Sequence, residues 1–262
     1  MYRDLWKKVH KSICSIVFYS DDERIASGTG FKVGDKLITN NHVIQVSQAT
    51  DVLLRFVKED GYTDLASKKM SLADFQARLL DGMSEDSWDY AILDLNIPEF
   101  NDAPSLCLSS EDKFAVGQLV ALFGFQFDQP NLSIHTGILS SRFVKGDVKY
   151  LQLHVSVNQG NSGGPLIDPK TTEVIGIVTR KMTGLTRQFD KLLESFSQNI
   201  RILEQASKGG RIQMFGIDPI DFFKVSQTQM TKISLEIRRS ANVGVGYAYE
   251  LKEIRKSLDK LK

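Results

Sequence analysis

Up to about residue 100, apolar and polar positions alternate in short runs. Ile13 to Tyr19, Ile25 to Val33, Lys36 to Ile38, Asp51 to Val57, Phe75 to Leu80 and Tyr90 to Leu95 are separated by Gly, Asp and Ser. A period of two over four to eight residues is that of a half-buried strand. Many such strands at close spacing predict a barrel or sandwich rather than strands alternating with crossover helices. Glu59 to Leu72 is polar and does not commit to a period. A second series follows at Ser105 to Ser109, Gly117 to Gly124, Leu132 to Phe143, Val148 to Val157 and Glu173 to Thr179, with a loop from Gln126 to Asn131. The expected division is a β lobe over residues 1–100 and a second over 101–262.

After Thr179 the period changes. Leu185, Phe189, Leu192, Leu193, Phe196, Ile200 and Leu203 recur mostly at steps of three and four, one stripe of a helix, and Gly209-Gly210 is a stop signal. Asp218-Pro219 restarts a helix, an N-cap residue with Pro at the first helical position. Phe223, Met230, Ile233 and Ile237 are expected on one face of it. A helical pair is therefore inserted at about residues 183–240. Alternation returns over Val243 to Tyr249, and Leu251, Ile254, Leu258 and Leu261 predict a closing helix at about 250–261.

With 262 residues, 42% hydrophobic and 25% charged, the chain has the composition of an ordinary globular protein. A net charge of +1 gives no general reason to bind nucleic acid or an anionic membrane. The first apolar run, Ile13 to Phe18, is too short for a signal-peptide core or a membrane span, so a cytoplasmic protein is expected. Cys14 and Cys107 lie in strand-like runs outside any CxxC and are expected to be buried free thiols.

Candidate chemistry begins with an exclusion. SGTGFKVGDKLITNNHVI contains glycines and lysines, but Gly28, Gly30 and Gly34 have neither GxGxxG nor GxxxxGK[ST] spacing, so no phosphate loop is expected. His10 and Cys14 stand four apart without further ligands, and no metal or other cofactor is expected. His42, in Thr39-Asn40-Asn41-His42-Val43-Ile44, lies at a strand end. Asp89 leads into the strand Tyr90 to Leu95, with Asp94 as its competitor; if Ala91 and Leu93 share the core face with Asp89, Asp94 points to solvent. Ser162 sits in Gln159-Gly160-Asn161-Ser162-Gly163-Gly164-Pro165-Leu166, where a glycine-rich turn exposes a hydroxyl and backbone N–H groups together. A Ser needs a base and an orienting acid to act as a nucleophile.

His42, Asp89 and Ser162 occur in the order base, orienter, nucleophile. TNNHV, DYAILDL and GNSGGPL, with VGQLVALFGF before the last and EVIGIVTR after it, resemble the trypsin-like serine peptidases, most of all their bacterial Deg/HtrA branch. The resemblance covers about residues 10–181 and 243–258. It implies a mainly β fold of two six-stranded-type antiparallel β-barrels, chymotrypsin-like, here with a helical insertion and a C-terminal helix. It also implies a serine endopeptidase that cleaves protein or peptide substrates through an acyl-enzyme. His42 is then the general base, Asp89 its orienter and Ser162 the nucleophile. Gly160, Asn161 and Ser162 form the oxyanion hole, with the N–H groups of Gly160 and Ser162 as donors.

Departures from the family pattern bear on regulation and specificity. Asn161 stands where digestive relatives have Asp, so activation by a freed N-terminus is not expected. No PDZ-sized segment follows Tyr249. Loop ordering, or a regulatory protein docked on residues 183–240, is the expected control. By the same resemblance Ser156 forms the pocket floor, with His154 two residues before it, and Thr179, Arg180 and Lys181 form the strand that pairs with substrate. The alternative function is a catalytically silent trypsin-like module that binds proteins.

Overall fold

The computed structural model describes residues 1–111, 114–127, 129–179, 184–208, 218–240 and 244–261. They form two compact units, Met1–Arg180 with Gly244–Lys262, and Lys181–Val243.

In the first unit, β1 (Ile13–Ser20), β2 (Glu23–Val33), β3 (Lys36–Thr39), β4 (Asp51–Val57), β5 (Asp64–Ser71), β6 (Leu79–Met83) and β7 (Tyr90–Asp94) make a seven-stranded sheet. Its order is β5-β4-β1-β2-β3-β7-β6, antiparallel throughout. β8 (Leu119–Gly124), β9 (Ser133–Lys145), β10 (Val148–His154), β11 (Pro165–Ile167), β12 (Val174–Thr179) and β13 (Gly246–Glu250) close into a six-stranded antiparallel barrel. The alternation seen in sequence is physical in β4, where Val52, Leu54 and Phe56 are buried and Asp51, Leu53 and Arg55 are half-buried. β1 is buried on both faces over most of its length, which is why its sequence is apolar there apart from Ser15.

Three apolar clusters organise this unit. One fills the first lobe around Phe18, Phe56, Phe75 and Phe100, and another fills the barrel around Leu122, Leu151 and Val178. The third is a seam shared by both sheets, with Phe31, Tyr90 and Ile92 meeting Phe123, Ile177 and Tyr249. Two helices cover the same seam. α1 (Tyr2–Val9) inserts Leu5 and Val9, and α6 (Lys252–Lys260) inserts Ile254. Burying each such side chain is worth roughly 1.5–3 kcal/mol. Tyr90 and Ser257 hydroxyls meet at 2.7 Å, tying α6 to β7.

Several sequence expectations change here. Phe75 is not in a strand but in the short helix α3 (Leu72–Gln76), whose N-cap Ser71 accepts the Asp74 N–H at 3.1 Å. The polar stretch resolves into β5, an outer strand whose side chains are mostly solvated. Ser105 to Ser109 contributes one isolated bridge, Leu108 to Val174. Cys14 is buried, and burial pushes its thiol up to about 12, whereas Cys107 is exposed.

The second unit consists of α4 (Gly184–Lys208) and α5 (Pro219–Ser240). Asp218 caps α5, its carboxylate accepting the Ile220 N–H at 2.9 Å. The Gly209-Gly210 stop lies outside the described residues. On α4 the stripe Leu193, Phe196, Ile200 and Leu203 is half-buried, and Asn199 donates to Gln227 Oε1 of α5 at 3.3 Å. Phe223, Met230, Ile233 and Ile237 share an exposed face of α5. No helix among the described residues is long and apolar enough to cross a membrane.

Candidate active site

β3 delivers the chain to Thr39 and Asn40, both fully buried, and the one-turn helix α2 (Asn41–Ile44) then presents His42. Asn40 Nδ2 donates to the Asp89 carbonyl at 2.7 Å, joining this turn to the entrance of β7. Asp89 has φ +42° and its N–H donates to Ser84 O at 3.1 Å. Such left-handed geometry is more accessible to Asp than to most residues. The conformation turns the carboxylate inward, where it is 1% exposed.

Three donors converge on that carboxylate. Oδ1 accepts the His42 backbone N–H at 3.0 Å, and Oδ2 accepts His42 Nδ1–H at 2.7 Å and the Thr179 hydroxyl at 3.3 Å. A buried carboxylate needs such donors to offset its lost hydration. Because a carboxylate only accepts, the proton of the neutral imidazole sits on Nδ1, and Nε2 carries the free lone pair. The Tyr249 hydroxyl is pushed up beyond its ordinary range by burial and then by the Asp89 charge, so it stays protonated beside this group. Asp94 plays no part: its carboxylate lies 3.6 Å from Arg78 and is partly exposed.

Ser162 lies at the end of a tight turn. Asn161 N–H donates to Asn158 O at 3.1 Å, and Gly160 within that turn has φ +94°. Positive φ at the third position defines a type II turn and suits glycine. A Cβ on Gly160 would also strike Phe125 O. Gly163 has φ +84°, and a Cβ there would strike Thr29 O and the Thr39 hydroxyl. The turn thus nests against the residues that lead into His42. The Gln159 carbonyl accepts the Phe127 N–H at 2.8 Å, which turns the Gly160 end of the same planar peptide the other way. Among the described residues, the N–H groups of Gly160 and Ser162 meet no acceptor, and Ser162 Oγ has no hydrogen-bond partner. Asn161 is fully buried with neither side-chain polar atom paired among those residues.

Of the remaining expected residues, Ser156 is half-buried and its hydroxyl accepts the Gly244 N–H at 3.1 Å. Thr179 is buried and engaged with Asp89; Arg180 and Lys181 lie outside the described residues. His154 is exposed at the end of β10. His10 stacks on Trp6 at 5.7 Å and bonds its carbonyl, and Cys14 Sγ contacts Ser15 O. Lys32, in the segment where the glycine spacing excludes a phosphate loop, is buried and donates to the carbonyls of Phe100 and Ala103 at 2.7 Å each. Sequence reasoning did not single out Thr29 and Asn40. Their signal was a polar residue in or just after a strand, Thr29 between two glycines and Asn40 two residues before the candidate His.

Residues 28–177 match the model of the trypsin-like peptidase domain. Serine protease HTRA1A of Danio rerio is 31% identical over 186 residues, 67% of this chain and 34% of that protein. A probable periplasmic serine endoprotease, DegP-like, of Pseudomonas fulva (strain 12-X) is 30% identical over 60% of this chain and 29% of its own length. The chain thus spans about a third of the curated relatives it matches. Among solved structures, an inactive form of Rv3671c from M. tuberculosis H37Rv has a TM-score of 0.55 at 17% identity, covering 98% of this chain and 90% of that one. The HtrA-type protease AlgW with tripeptide also has a TM-score of 0.55, at 19% identity, over 70% of this chain and 56% of its own. These likenesses show the same fold. The buried His–Asp pair, the glycine-walled serine turn and the match over more than half the chain have one reading: the chain belongs to the trypsin-like peptidase domain family.

Proposed function

We propose that this chain is a serine endopeptidase that cleaves protein substrates through an acyl-enzyme on Ser162. The observation that carries the reading is the Asp89 carboxylate, which holds His42 by both its ring and its backbone at 2.7 and 3.0 Å. With Nδ1–H committed to Asp89, His42 Nε2 takes the proton of Ser162 as Oγ attacks the peptide carbonyl, and returns it to the leaving amine. Asp89 stabilises the imidazolium formed between those transfers. Water then repeats the sequence in reverse and frees the acyl group. The oxyanion hole is assigned to the turn Gly160, Asn161 and Ser162, whose outer N–H groups have no acceptor among the described residues. Losing one such donor typically costs about 3–4 kcal/mol in the transition state. The serine protease names of the HTRA1A and DegP-like relatives support the same class of reaction.

Control by loop ordering is part of the proposal. Phe127 N–H and Gln126 Oε1 hold Gln159 and Asn158 at 2.8 and 3.1 Å, so the loop after β8 bears directly on the turn that carries Gly160. Ser156 and the backbone of Thr179, Arg180 and Lys181 are proposed to border the bound peptide. The exposed apolar face of α5 is the proposed docking surface for a regulatory protein. The silent binding module is the second reading, and the observation on its side is the absence of any hydrogen bond to Ser162 Oγ among the described residues. Fluorophosphonate labelling followed by peptide mass mapping separates the two. Label on Ser162, abolished in Ser162→Ala, is the expected result; a folded wild type that never labels leaves the binding module.

A further inference from the structure

The turn that carries Ser162 closes on itself through two backbone bonds, Asn161 N–H to Asn158 O at 3.1 Å and Gly164 N–H to Asn161 O at 3.0 Å. Its buried side chain, Asn161, pairs with nothing among the described residues, so the rest of its hold comes from bonds that reach it from outside. Two of these come from the neighbouring loop of the same barrel, through Phe127 and Gln126, and two from β12, where Gly163 N–H donates to Val178 O at 2.9 Å and Val178 N–H donates to Gly164 O at 2.8 Å. One set comes from the other sheet, and it comes from a single residue. Thr29, fully buried in β2, donates its hydroxyl to Gly160 O at 2.6 Å and its backbone N–H to Ser162 O at 2.9 Å. The same hydroxyl accepts the Phe125 N–H at 3.0 Å, and the Thr29 carbonyl accepts the Thr39 hydroxyl at 2.7 Å.

The connectivity of that hydroxyl is specific. The peptide between Gly160 and Asn161 is held at both ends, its carbonyl by Thr29 and its N–H by Asn158 O. Phe125 begins the loop whose Phe127 N–H orients the peptide between Gln159 and Gly160. One Oγ therefore reaches both peptides that flank Gly160, one directly and one through the loop. Thr39, bonded to Thr29, closes the chain of contacts back to the segment that presents His42.

We infer that Thr29 is a positioning residue for the oxyanion hole, holding the Gly160 turn and the loop at Phe125 in one register through its hydroxyl. The inference rests on the peptidase reading of the site, and it assigns to a side chain of the first lobe the alignment of backbone donors in the second. Serine supplies the same hydroxyl. Valine supplies the same shape with neither donor nor acceptor, and leaves Gly160 O and Phe125 N–H unpaired.

The test compares wild type, Thr29→Ser and Thr29→Val, all checked for folding by thermal unfolding. Peptide hydrolysis is measured as kcat and KM, together with the rate of fluorophosphonate labelling, and amide hydrogen exchange is followed over residues 158–163. A misplacement of about 1 Å at a reacting centre costs about 100-fold in rate. Thr29→Val is accordingly expected to lower kcat and the labelling rate by about 100-fold with KM nearly unchanged, and to speed exchange over 158–163. Thr29→Ser is expected to stay within about threefold of wild type. A folded Thr29→Val with wild-type kcat and exchange overturns the inference, as does a Thr29→Ser as impaired as Thr29→Val. If Thr29→Val does not fold, Thr29→Cys, of similar size with only a weak donor, takes its place under the same criteria. If wild type itself never labels, the peptidase reading falls, and exchange over 158–163 alone decides whether Thr29 holds the turn.

Discussion

Asp89 shows how a residue favoured in the sequence by one argument is positioned in the structure by another. Alternation along the strand favoured it over Asp94, yet β7 begins only at Tyr90, and Asp89 turns inward because its backbone is left-handed. Strand period is visible in a sequence; a positive φ at a non-glycine residue is not. The consequence is testable. Asp89→Asn keeps the shape but offers an amide in place of one oxygen, so His42 loses a reason to carry its proton on Nδ1. Peptide hydrolysis is expected to fall by about 10⁴-fold, with thermal stability changed far less. His135 gives a prediction of another kind. Burial lowers its pKa, and its Nε2 is buried without a partner among the described residues. The folded state thus favours the neutral ring, so between the depressed folded value and about 6.5 the unfolded chain binds more protons. Stability contributed by the neutral ring is complete above about pH 6.5 and is lost as pH falls through that window. In melts from pH 7.5 to 5, His135→Gln should show a shallower loss of stability than wild type.

At the scale of elements, the strands with one clean apolar face were legible, and those built by exception were not. β4 follows from side-chain period and β12 from a continuous apolar run buried at every position, whereas α3 overlaps the run Phe75 to Leu80, which reads as strand in the sequence. Its decisive signal was polar: Ser71 caps Asp74, a local bond that side-chain periodicity does not report. α1 went unread although Leu5 and Val9 stand four apart, because the charged residues between them mask a short apolar face that only the seam reveals. Lys32 shows the same thing inside a strand. No phosphate loop is expected here from the sequence, and the ammonium serves the chain itself, tying β2 to the carbonyls of Phe100 and Ala103, at and just after the 3₁₀ turn Pro98–Phe100. Burial lowers its pKa, and the charges of Asp102 and then Asp35 oppose that shift. Lys32→Met is expected to destabilise the protein by about 1–3 kcal/mol, read as a lower urea midpoint with an unchanged slope, because both acceptors are left dry. The glycine turn at 158–164 is the opposite case. Its residue types were legible because φ +94° and +84° at Gly160 and Gly163 leave little choice, while the partners that hold it are ordinary-looking threonines and backbone groups.

Across the whole molecule, the β unit carries His42, Asp89 and Ser162, the proposed catalytic residues, and the helical unit enters the chain between β12 and β13. Those two strands are paired antiparallel as far as Thr179 with Tyr247, so the chain leaves and rejoins the barrel at adjacent points. Adjacent strands are about 4.8 Å apart, a gap that a short loop spans. Removing residues 185–239 leaves 180–184 and 240–245 to make that connection, and no residue of the three apolar clusters is deleted. The excised chain is therefore expected to fold, to unfold cooperatively, and to label at Ser162 with fluorophosphonate. Loss of cooperative unfolding would mean that the helices complete the core. The labelling rate then separates two roles for the insertion. A gate predicts a rate altered several-fold by excision, because the reactive hydroxyl is the same while its access or its turn has changed. A docking surface predicts an unaltered basal rate, because the exposed face formed by Phe223, Met230, Ile233 and Ile237 acts only when something binds it. The exposed face favours the second outcome.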